Sequence, residues 1–271
     1  MILKDLTVEA EGYTAKLQVH LWENSQELHT DSPRPLVLVC PGGGYRMTSD
    51  READAVAFQF TAMGYHTAVL RYSVEPARYP TALLQAAGAV KLFRENAEEW
   101  CIDCDKILVA GFSAGGHLAC SLGVFWNREI ISGYYKCDSS MFRVNGMILG
   151  YPVITSGEYA HEGSFKCLLG DRYEELKDEM SLEKQVSENT PPAFLWHTQE
   201  DDCVPVENSM LLFAALHRQG IPAEYHIFQK GGHGLGLANE LTMGNDGYGV
   251  QRECQSWVSL AHEWIESNFV R

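Results

Sequence analysis

The eleven residues from 109 to 119, V-A-G-F-S-A-G-G-H-L-A, constrain the fold of this chain more than any other segment. An apolar run at residues 107–110 leads into the pattern G-x-S-x-G, and a helix-compatible run at residues 114–122 follows it. This context predicts a strand that turns sharply into a helix, with Ser113 exposed at the apex of the turn. Small neighbours are expected because the backbone of such a turn is strained and crowded. A glycine-rich turn without chemistry has the same pattern, so a function for Ser113 depends on partners elsewhere in the chain.

From Leu36 onward, segments typical of strands alternate with segments typical of helices. Apolar runs predict strands at residues 36–40, 66–70, 107–110, 146–149, 193–197 and 223–228. The spacing of apolar residues predicts helices at residues 52–63, 81–97, 114–122, 206–219 and 257–265. Repeated strand–helix units predict an α/β fold, in which a mostly parallel central sheet carries helices on both faces.

Two regions depart from this alternation. Apolar and polar side chains alternate over residues 13–21, which predicts an antiparallel strand with one solvent-exposed face. Residues 155–192 are polar, contain a charged stretch and end in Thr-Pro-Pro. We interpret them as an insertion above the edge of the sheet. Since the sequence has no internal repeat and no low-complexity linker, we expect a single domain over residues 1–271.

The composition disfavours several function classes. The formal net charge of −15 argues against nucleic acid or an anionic membrane as a partner. Charged residues interrupt the first nine positions before a secretory signal can form, and no apolar run reaches the length of a membrane span. The eight cysteines are therefore expected to be thiols in a cytoplasmic protein. The pair C-I-D-C at residues 101–104 lacks a second ligand pair for zinc, so we interpret it as structural.

Among the ten histidines, His233 is the best candidate for a base that activates Ser113. Catalytic groups of parallel sheets gather at the carboxyl ends of the strands, so an acid and a base should follow strands. In the chain order serine, acid, histidine, His217, His226 and His262 are disfavoured because they fall inside predicted helices or strands. His233 lies in a loop, K-G-G-H-G-L-G, directly after a predicted strand. An imidazole there can reach across the sheet and accept the serine proton.

The acid that orients His233 is expected in the loop after the strand at residues 193–197. Asp201 and Asp202 both stand in this loop, with further carboxylates nearby. Either aspartate could accept a hydrogen bond from the imidazole Nδ1 and stabilise the imidazolium, so chemistry alone leaves both open. The other one is expected to be a turn residue or a helix N-cap.

Backbone N–H donors for an oxyanion are expected at two places. Ala114 directly follows Ser113, and the run P-G-G-G-Y follows the strand at residues 36–40. Glycines let the backbone approach a substrate closely, and no Gly-Lys-Ser/Thr follows that would indicate a phosphate loop. Tyr45 and Tyr72 are candidates for lining a substrate pocket, although aromatic residues of such folds more often belong to the core.

The motifs C-P-G-G-G-Y, M-G-Y-H with L-R-Y-S, G-F-S-A-G-G-H-L-A, L-W-H-T-x-x-D-D-x-V-P and G-x-H-G occur in this order. Together they resemble the α/β-hydrolase family of small carboxylesterases, and within it the carbohydrate-esterase-like branch often labelled acetyl-xylan esterase or lipase/esterase. The resemblance covers nearly the whole chain from about Leu36. The family pattern H-x-x-x-D-x-x-V-P aligns its acid with Asp201, and the donor glycines match Gly43 and Gly44. Pro41 replaces the histidine of the H-G-G-G motif found in hormone-sensitive-lipase-like relatives, which favours the carbohydrate-esterase branch.

The resemblance implies a serine carboxylester hydrolase that acts on short-chain esters, acetyl above all, of carbohydrates. It implies catalytic roles for Ser113, Asp201 and His233, no metal or organic cofactor, and a small-molecule ester as substrate. The sequence leaves a homo-oligomer open. Two alternatives remain. One is a prolyl-oligopeptidase-like serine peptidase, although such enzymes usually carry a propeller domain that this sequence does not encode. The other is a non-catalytic binding protein with the hydrolase fold.

Overall fold

The computed structural model describes residues 1–25, 27 and 32–270, which build one eight-stranded sheet with helices on both faces. The strands are β1 (Ile2–Ala10), β2 (Tyr13–Leu21), β3 (Arg34–Cys40), β4 (His66–Arg71), β5 (Ile102–Phe112), β6 (Gly146–Gly150), β7 (Ala193–Thr198) and β8 (Ala223–Phe228). Among the described residues, the α-helices are α1 (Asp54–Ala62), α2 (Thr81–Glu95), α3 (Ala97–Trp100), α4 (Ala114–Phe125), α5 (Glu129–Tyr135), α6 (Glu162–Leu169), α7 (Tyr173–Leu176), α8 (Glu207–Arg218) and α9 (Trp257–Ile265).

The strands follow the order β1-β2-β4-β3-β5-β6-β7-β8. The six strands from β4 to β8 in this order pair in parallel, whereas β1 pairs antiparallel with β2 and β2 antiparallel with β4. The predicted mostly parallel sheet is confirmed. The antiparallel strand predicted at residues 13–21 is confirmed as well and is β2.

The central strands are buried on both faces, which explains their uninterrupted apolar runs. In β3, Leu36, Leu38 and Cys40 pack into one core and Val37 and Val39 pack into the other. Residues from α2, α4 and α8 complete the first core, and residues from α1 and α9 complete the second. The sheet is therefore held rigid between two helical layers.

Three local features differ from what the sequence predicted. The sequence analysis did not predict β1, which forms a hairpin with β2 through the turn at residues 11–12. The strand predicted at residues 107–110 begins earlier, at Ile102, so Cys104 of the C-I-D-C pair lies inside β5. The face of β2 that was predicted to be solvent-exposed includes His20, which is buried: its ring packs against that of Phe58, and its Nδ1 atom bonds Oγ1 of Thr67. All eight cysteines lie in the described part of the chain and are free thiols.

The segment between β6 and β7 contains α6 and α7 and includes the predicted insertion at residues 155–192. Its surface is polar, but Phe165, Leu168, Met180 and Leu182 belong to the first core. The segment thus packs onto the carboxyl edge of the sheet through an apolar face. Its description as an insertion within a single domain stays a prediction. Within the described residues, every helix is too short or too polar to cross a membrane.

Candidate active site

Ser113 occupies the sharp turn between β5 and α4. Its φ of 53° lies in the left-handed region, which residues other than glycine rarely adopt. The turn is possible because two residues beside it are glycines, which have no side chain. A Cβ on Gly111 would lie 2.2 Å from the carbonyl oxygen of Gly115, and a Cβ on Gly115 would lie 2.1 Å from that of Cys40. The close approach of strand and helix therefore fixes Ser113 at the amino terminus of α4.

Ser113, His233 and Asp201 form a continuous chain of hydrogen bonds across the carboxyl edge of the sheet. Oγ of Ser113 lies 2.8 Å from Nε2 of His233, and Nδ1 of His233 lies 2.7 Å from Oδ2 of Asp201. Because an ionised carboxylate can only accept, the proton is assigned to Nδ1, and Nε2 is left to accept from the serine hydroxyl. The three residues follow β5, β8 and β7 respectively.

Asp201 stays anionic although its side chain is buried. Its Oδ1 atom accepts hydrogen bonds from the N–H groups of Cys203 (3.0 Å) and Val204 (2.9 Å). Burial on its own would raise the pKa of this carboxyl, but hydrogen bonds from His197 and His233 outweigh burial and hold the pKa well below its usual range. Asp202, the second candidate from the sequence, is exposed. The structure therefore places Asp201, and not Asp202, against His233.

His197 is a second imidazole at Asp201 that the sequence analysis did not single out. Its Nε2 atom lies 2.9 Å from the carbonyl oxygen of Val204 and 3.2 Å from Oδ2 of Asp201, and its Nδ1 atom lies 2.8 Å from Oγ of Ser209. A proton on Nε2 satisfies all these partners, because the Ser209 hydroxyl then donates to Nδ1. The spacing H-x-x-x-D contained the signal, since it places this histidine at the end of β7, just before the acid.

The glycine run, residues 42–44, lies beside Ser113 and has two N–H groups that can bind a ligand. The N–H of Gly42 donates to Oε2 of Glu52 at 2.7 Å. Gly43 and Gly44 both line the pocket at Ser113, and the described part of the chain supplies no acceptor for their N–H groups. The N–H of Ala114, the first residue of α4, has no acceptor within its own helix. These three N–H groups are the candidates for binding an oxyanion.

Tyr45 and Tyr72 do not line the pocket, in contrast to the role suggested from the sequence. Both are buried behind the glycine run, where the hydroxyl of Tyr72 donates to the carbonyl oxygen of Pro41 at 2.8 Å. The hydroxyl of Tyr45 bonds Nδ1 of His117 at 3.0 Å, and Nε2 of His117 bonds the carbonyl oxygen of Met180 at 2.9 Å. These contacts tie the glycine run to α4 and to the segment between β6 and β7.

The pocket at Ser113 has a volume of about 280 Å³. Besides Gly43, Gly44, Ser113 and His233, it is lined by Met47, Ser49, Arg51, Glu52, His161, Cys203 and Gly234. His161 precedes α6 and bonds Oγ of Ser164 at 2.8 Å, and burial lowers its pKa, with the nearby charges of His233 and Arg46 adding to this effect. A larger surface cavity of about 630 Å³ lies at the antiparallel edge of the sheet, and Ser113, Asp201 and His233 do not line it. In the described part of the chain, no cluster of His, Cys, Asp or Glu side chains could hold a metal ion.

Known proteins resemble this chain in sequence and in structure. A family model described as BD-FAE matches residues 25–216. Endo-1,4-beta-xylanase B of Butyrivibrio fibrisolvens is 41% identical over 219 residues, which are 79% of this chain and 34% of that protein. The chain spans between a third and a half of the length of the first curated relatives it matches.

Two crystal structures extend the comparison over nearly the whole chain. An acetyl ester-xyloside bifunctional hydrolase from Caldicellulosiruptor lactoaceticus is 36% identical with a TM-score of 0.81, and the match covers 94% of this chain and 88% of that one. A carboxylesterase from Lactobacillus plantarum is 29% identical with a TM-score of 0.87, and the match covers 98% of both chains.

Proposed function

The chain belongs to the BD-FAE family and has the α/β-hydrolase fold, and on this premise we propose that it is a serine carboxylester hydrolase. Its substrates are short-chain esters, acetyl esters above all, of carbohydrates. The observation that carries the proposal is the hydrogen-bonded chain from Ser113 through His233 to Asp201, beside N–H groups that have no acceptor in the described residues.

Acylation begins when Oγ of Ser113 attacks the ester carbonyl carbon. Nε2 of His233 takes the serine proton as the new bond forms, and the buried carboxylate of Asp201 stabilises the imidazolium. The carbonyl oxygen becomes an oxyanion, which the N–H groups of Gly43, Gly44 and Ala114 bind. Each such donor is typically worth about 3 kcal/mol in the transition state, because the donor is already oriented before charge develops.

The tetrahedral intermediate collapses when His233 returns its proton to the leaving alcohol oxygen. The alcohol departs and the acyl group remains on Ser113. A water molecule then gives a proton to Nε2 and attacks the acyl carbon, and the second collapse releases the carboxylic acid and restores the serine hydroxyl.

A short acyl group on a sugar-like alcohol is supported by the surroundings of Ser113. Packed side chains of Tyr45, His117 and Phe165 close the space behind the glycine run, so a long acyl chain has no channel there. The rim holds hydrogen-bonding groups on Arg51 and His161, which suit a polyhydroxylated alcohol. The similarity to the acetyl ester-xyloside hydrolase points in the same direction.

The partners and the location of the protein are proposals as well. The partner is a small-molecule ester, and we expect neither nucleic acid nor a membrane surface because the net charge is −15. The cytoplasmic location stays a prediction from the sequence, which leaves a homo-oligomer open. Gel filtration with light scattering tests the oligomer.

The substrate class is tested with p-nitrophenyl esters of two to twelve carbons and with acetylated xylo-oligosaccharides. We expect kcat/KM to be highest for the acetyl ester and acetate to be released from the sugars. An increase of kcat/KM toward eight carbons, with no acetate from the sugars, contradicts the substrate class. Cleavage of aminoacyl amides in preference to esters identifies a peptidase instead.

A further inference from the structure

Glu52 is a buried carboxylate that the proposed mechanism does not use. It ends a short 3-10 turn (Asp50–Glu52) between the glycine run and α1, and only 3% of its surface is exposed. Its Oε2 atom accepts the N–H of Gly42 at 2.7 Å, and its Oε1 atom accepts the hydroxyl of Tyr151 at 2.8 Å. A Cβ on Gly42 would lie 2.6 Å from Oε2 of Glu52 and 2.8 Å from Cβ of Ser113. The carboxylate therefore packs directly against the glycine run beside Ser113.

Tyr151 continues the contact from Glu52 to the loop of His233. It directly follows β6, and its hydroxyl accepts the N–H of Gly236 at 2.9 Å. Its ring packs edge-on against the ring of His233, with 5.1 Å between the centroids. Glu52 and Tyr151 thus join the glycine run, which follows β3, to the histidine loop, which follows β8.

The hydrogen bonds indicate that Glu52 is ionised. The Tyr151 hydroxyl accepts from Gly236 and so directs its own proton to Glu52, and Gly42 also donates. The titratable groups near Glu52 are Arg51, Tyr72, Tyr151 and His233. Burial raises the pKa of Glu52, while the hydrogen bond from Tyr151 and the charge of His233 act in the opposite direction.

We propose that Glu52 is a positioning residue for the ester hydrolysis proposed above. By holding Gly42 it fixes the glycine run that carries the N–H groups of Gly43 and Gly44, and through Tyr151 it holds the loop of His233. Its negative charge also adds to that of Asp201 around the imidazole of His233, where further titratable side chains are those of Arg51, His161, Cys203 and Tyr248. This inference rests on the proposed function.

The experiment compares Glu52→Ala, Glu52→Gln and Tyr151→Phe on p-nitrophenyl acetate. We expect Glu52→Ala to lower kcat by about tenfold to a hundredfold with KM changed less than about threefold, because the oxyanion donors act mainly in the transition state. Glu52→Gln keeps an oxygen for the N–H of Gly42 and should restore most of kcat.

Gln85→Ala is the matched control for stability. Gln85 is fully buried and bonds Ser73 and the carbonyl oxygen of Tyr13, away from the pocket. Its removal should lower Tm but leave kcat unchanged at temperatures where the protein is folded. A lower Tm combined with a lower kcat should therefore be specific to Glu52→Ala and Tyr151→Phe.

The outcomes separate this inference from the proposed function. A wild-type protein without esterase activity overturns the function. The amide NMR signals of Gly43 and Gly44 then still decide whether Glu52 holds the glycine run: signals that shift or broaden in Glu52→Ala support this role, and unchanged signals overturn it. With an active wild type, a folded Glu52→Ala variant whose kcat stays within about twofold overturns the positioning role. Should Glu52→Ala not fold, a kcat within about twofold of the wild type in Tyr151→Phe overturns it.

Discussion

Nε2 of His197 lies 3.2 Å from Oδ2 of Asp201, the same oxygen that bonds Nδ1 of His233 at 2.7 Å. Two imidazoles thus meet one carboxylate oxygen, and of the two it is His233 that reaches Ser113. His197 is fully buried and is held in place by Val204 and Ser209. It therefore holds the carboxylate of Asp201 in place, as that carboxylate holds the imidazole of His233.

We predict that His197→Phe lowers kcat by about tenfold while activity remains measurable. Phenylalanine fills the space, but Asp201 loses a donor and can rotate away from His233. The variant should also lose about 1–3 kcal/mol of stability because the carbonyl oxygen of Val204 and the hydroxyl of Ser209 lose their partner. Steady-state kinetics and urea unfolding measure both effects. Ser209→Ala is the control, and an equal loss of kcat in that variant would argue against the contact with Asp201.

Asp201→Asn should lower kcat by about four orders of magnitude, whereas Asp202→Asn should change it less than about twofold. In the first variant, the side-chain amide that replaces the carboxylate donates to Nδ1 of His233 and so forces the proton onto Nε2, which can then no longer accept from Ser113. Asp202 is exposed and tolerates the change. Parallel kinetics of the two variants decide the matter, and the reverse order would assign the acid to Asp202.

Ser113→Ala should remove at least about 99.9% of kcat while the fold and Tm stay close to those of the wild type. The hydroxyl that is lost contributes a hydrogen bond to His233, and the smaller side chain of alanine fits the same packed site. A fluorophosphonate probe should label the wild type on Ser113 and leave the variant unlabelled. A variant that keeps more than about a tenth of kcat would show that another nucleophile acts.

Stability should fall as the pH falls from about 6.5 to 4. Burial lowers the pKa of His66 to about 4 and that of His117 to about 4, whereas in the unfolded chain both have the usual value of about 6.5. The unfolded state therefore binds more protons in this window, and acid favours unfolding. Each histidine should lower the free energy of unfolding by up to about 3 kcal/mol when the pH reaches 4.

Urea unfolding at several pH values between 7.5 and 4.5 measures this loss. His117→Gln keeps a donor and an acceptor but does not titrate, so the difference between pH 7.5 and 5 should shrink by about 1–2 kcal/mol. The depressed pKa of Asp201 adds stability that is lost only below about pH 4, so it does not contribute in this window. An identical pH dependence in both proteins would exclude His117 as a cause.

Gly115→Ala should destabilise the protein by several kcal/mol or prevent folding, because its Cβ would overlap the backbone of Cys40 and backbone cannot move aside. Gly133→Ala is the matched control. Gly133 lies inside α5, and its nearest neighbour would be 3.6 Å from the new Cβ, so alanine should stabilise by about 0.5–1 kcal/mol. Tm values of the two variants test this difference.

The sequence predicted the elements whose signals are local. The apolar runs of β3 to β8 and the helical spacing of α2, α4 and α9 are visible without a fold, because burial on both faces or on one face leaves a periodic pattern. Strand β1 was missed because most of its side chains are exposed and their pattern is weak. The boundary of β5 was wrong because the polar stretch before Ile107 lies in the sheet although its residues are partly exposed.

The sequence predicted the site residues that stand in motifs. It did not predict the residues whose contacts form only in the folded chain. Ser113, Asp201 and His233 stand in short motifs with a fixed order, and the structure brings them together. Glu52 and Tyr151 could not be found this way, since 99 residues separate them and neither belongs to a motif that the analysis used. The sequence made Tyr45 and Tyr72 candidates for lining the pocket, but could not show that both are buried behind the glycine run.

Each part of the site follows a different strand, and the strands β3, β5, β6, β7 and β8 lie side by side in that order. The glycine run, Ser113, Tyr151, Asp201 and His233 therefore meet only when this whole half of the sheet has paired. A partly assembled chain that lacks β8 would have its nucleophile in place and no base. Regain of catalytic rate after dilution from denaturant would consequently report the docking of the last strand, so the turnover of a chromogenic ester can serve as a clock for the completion of folding.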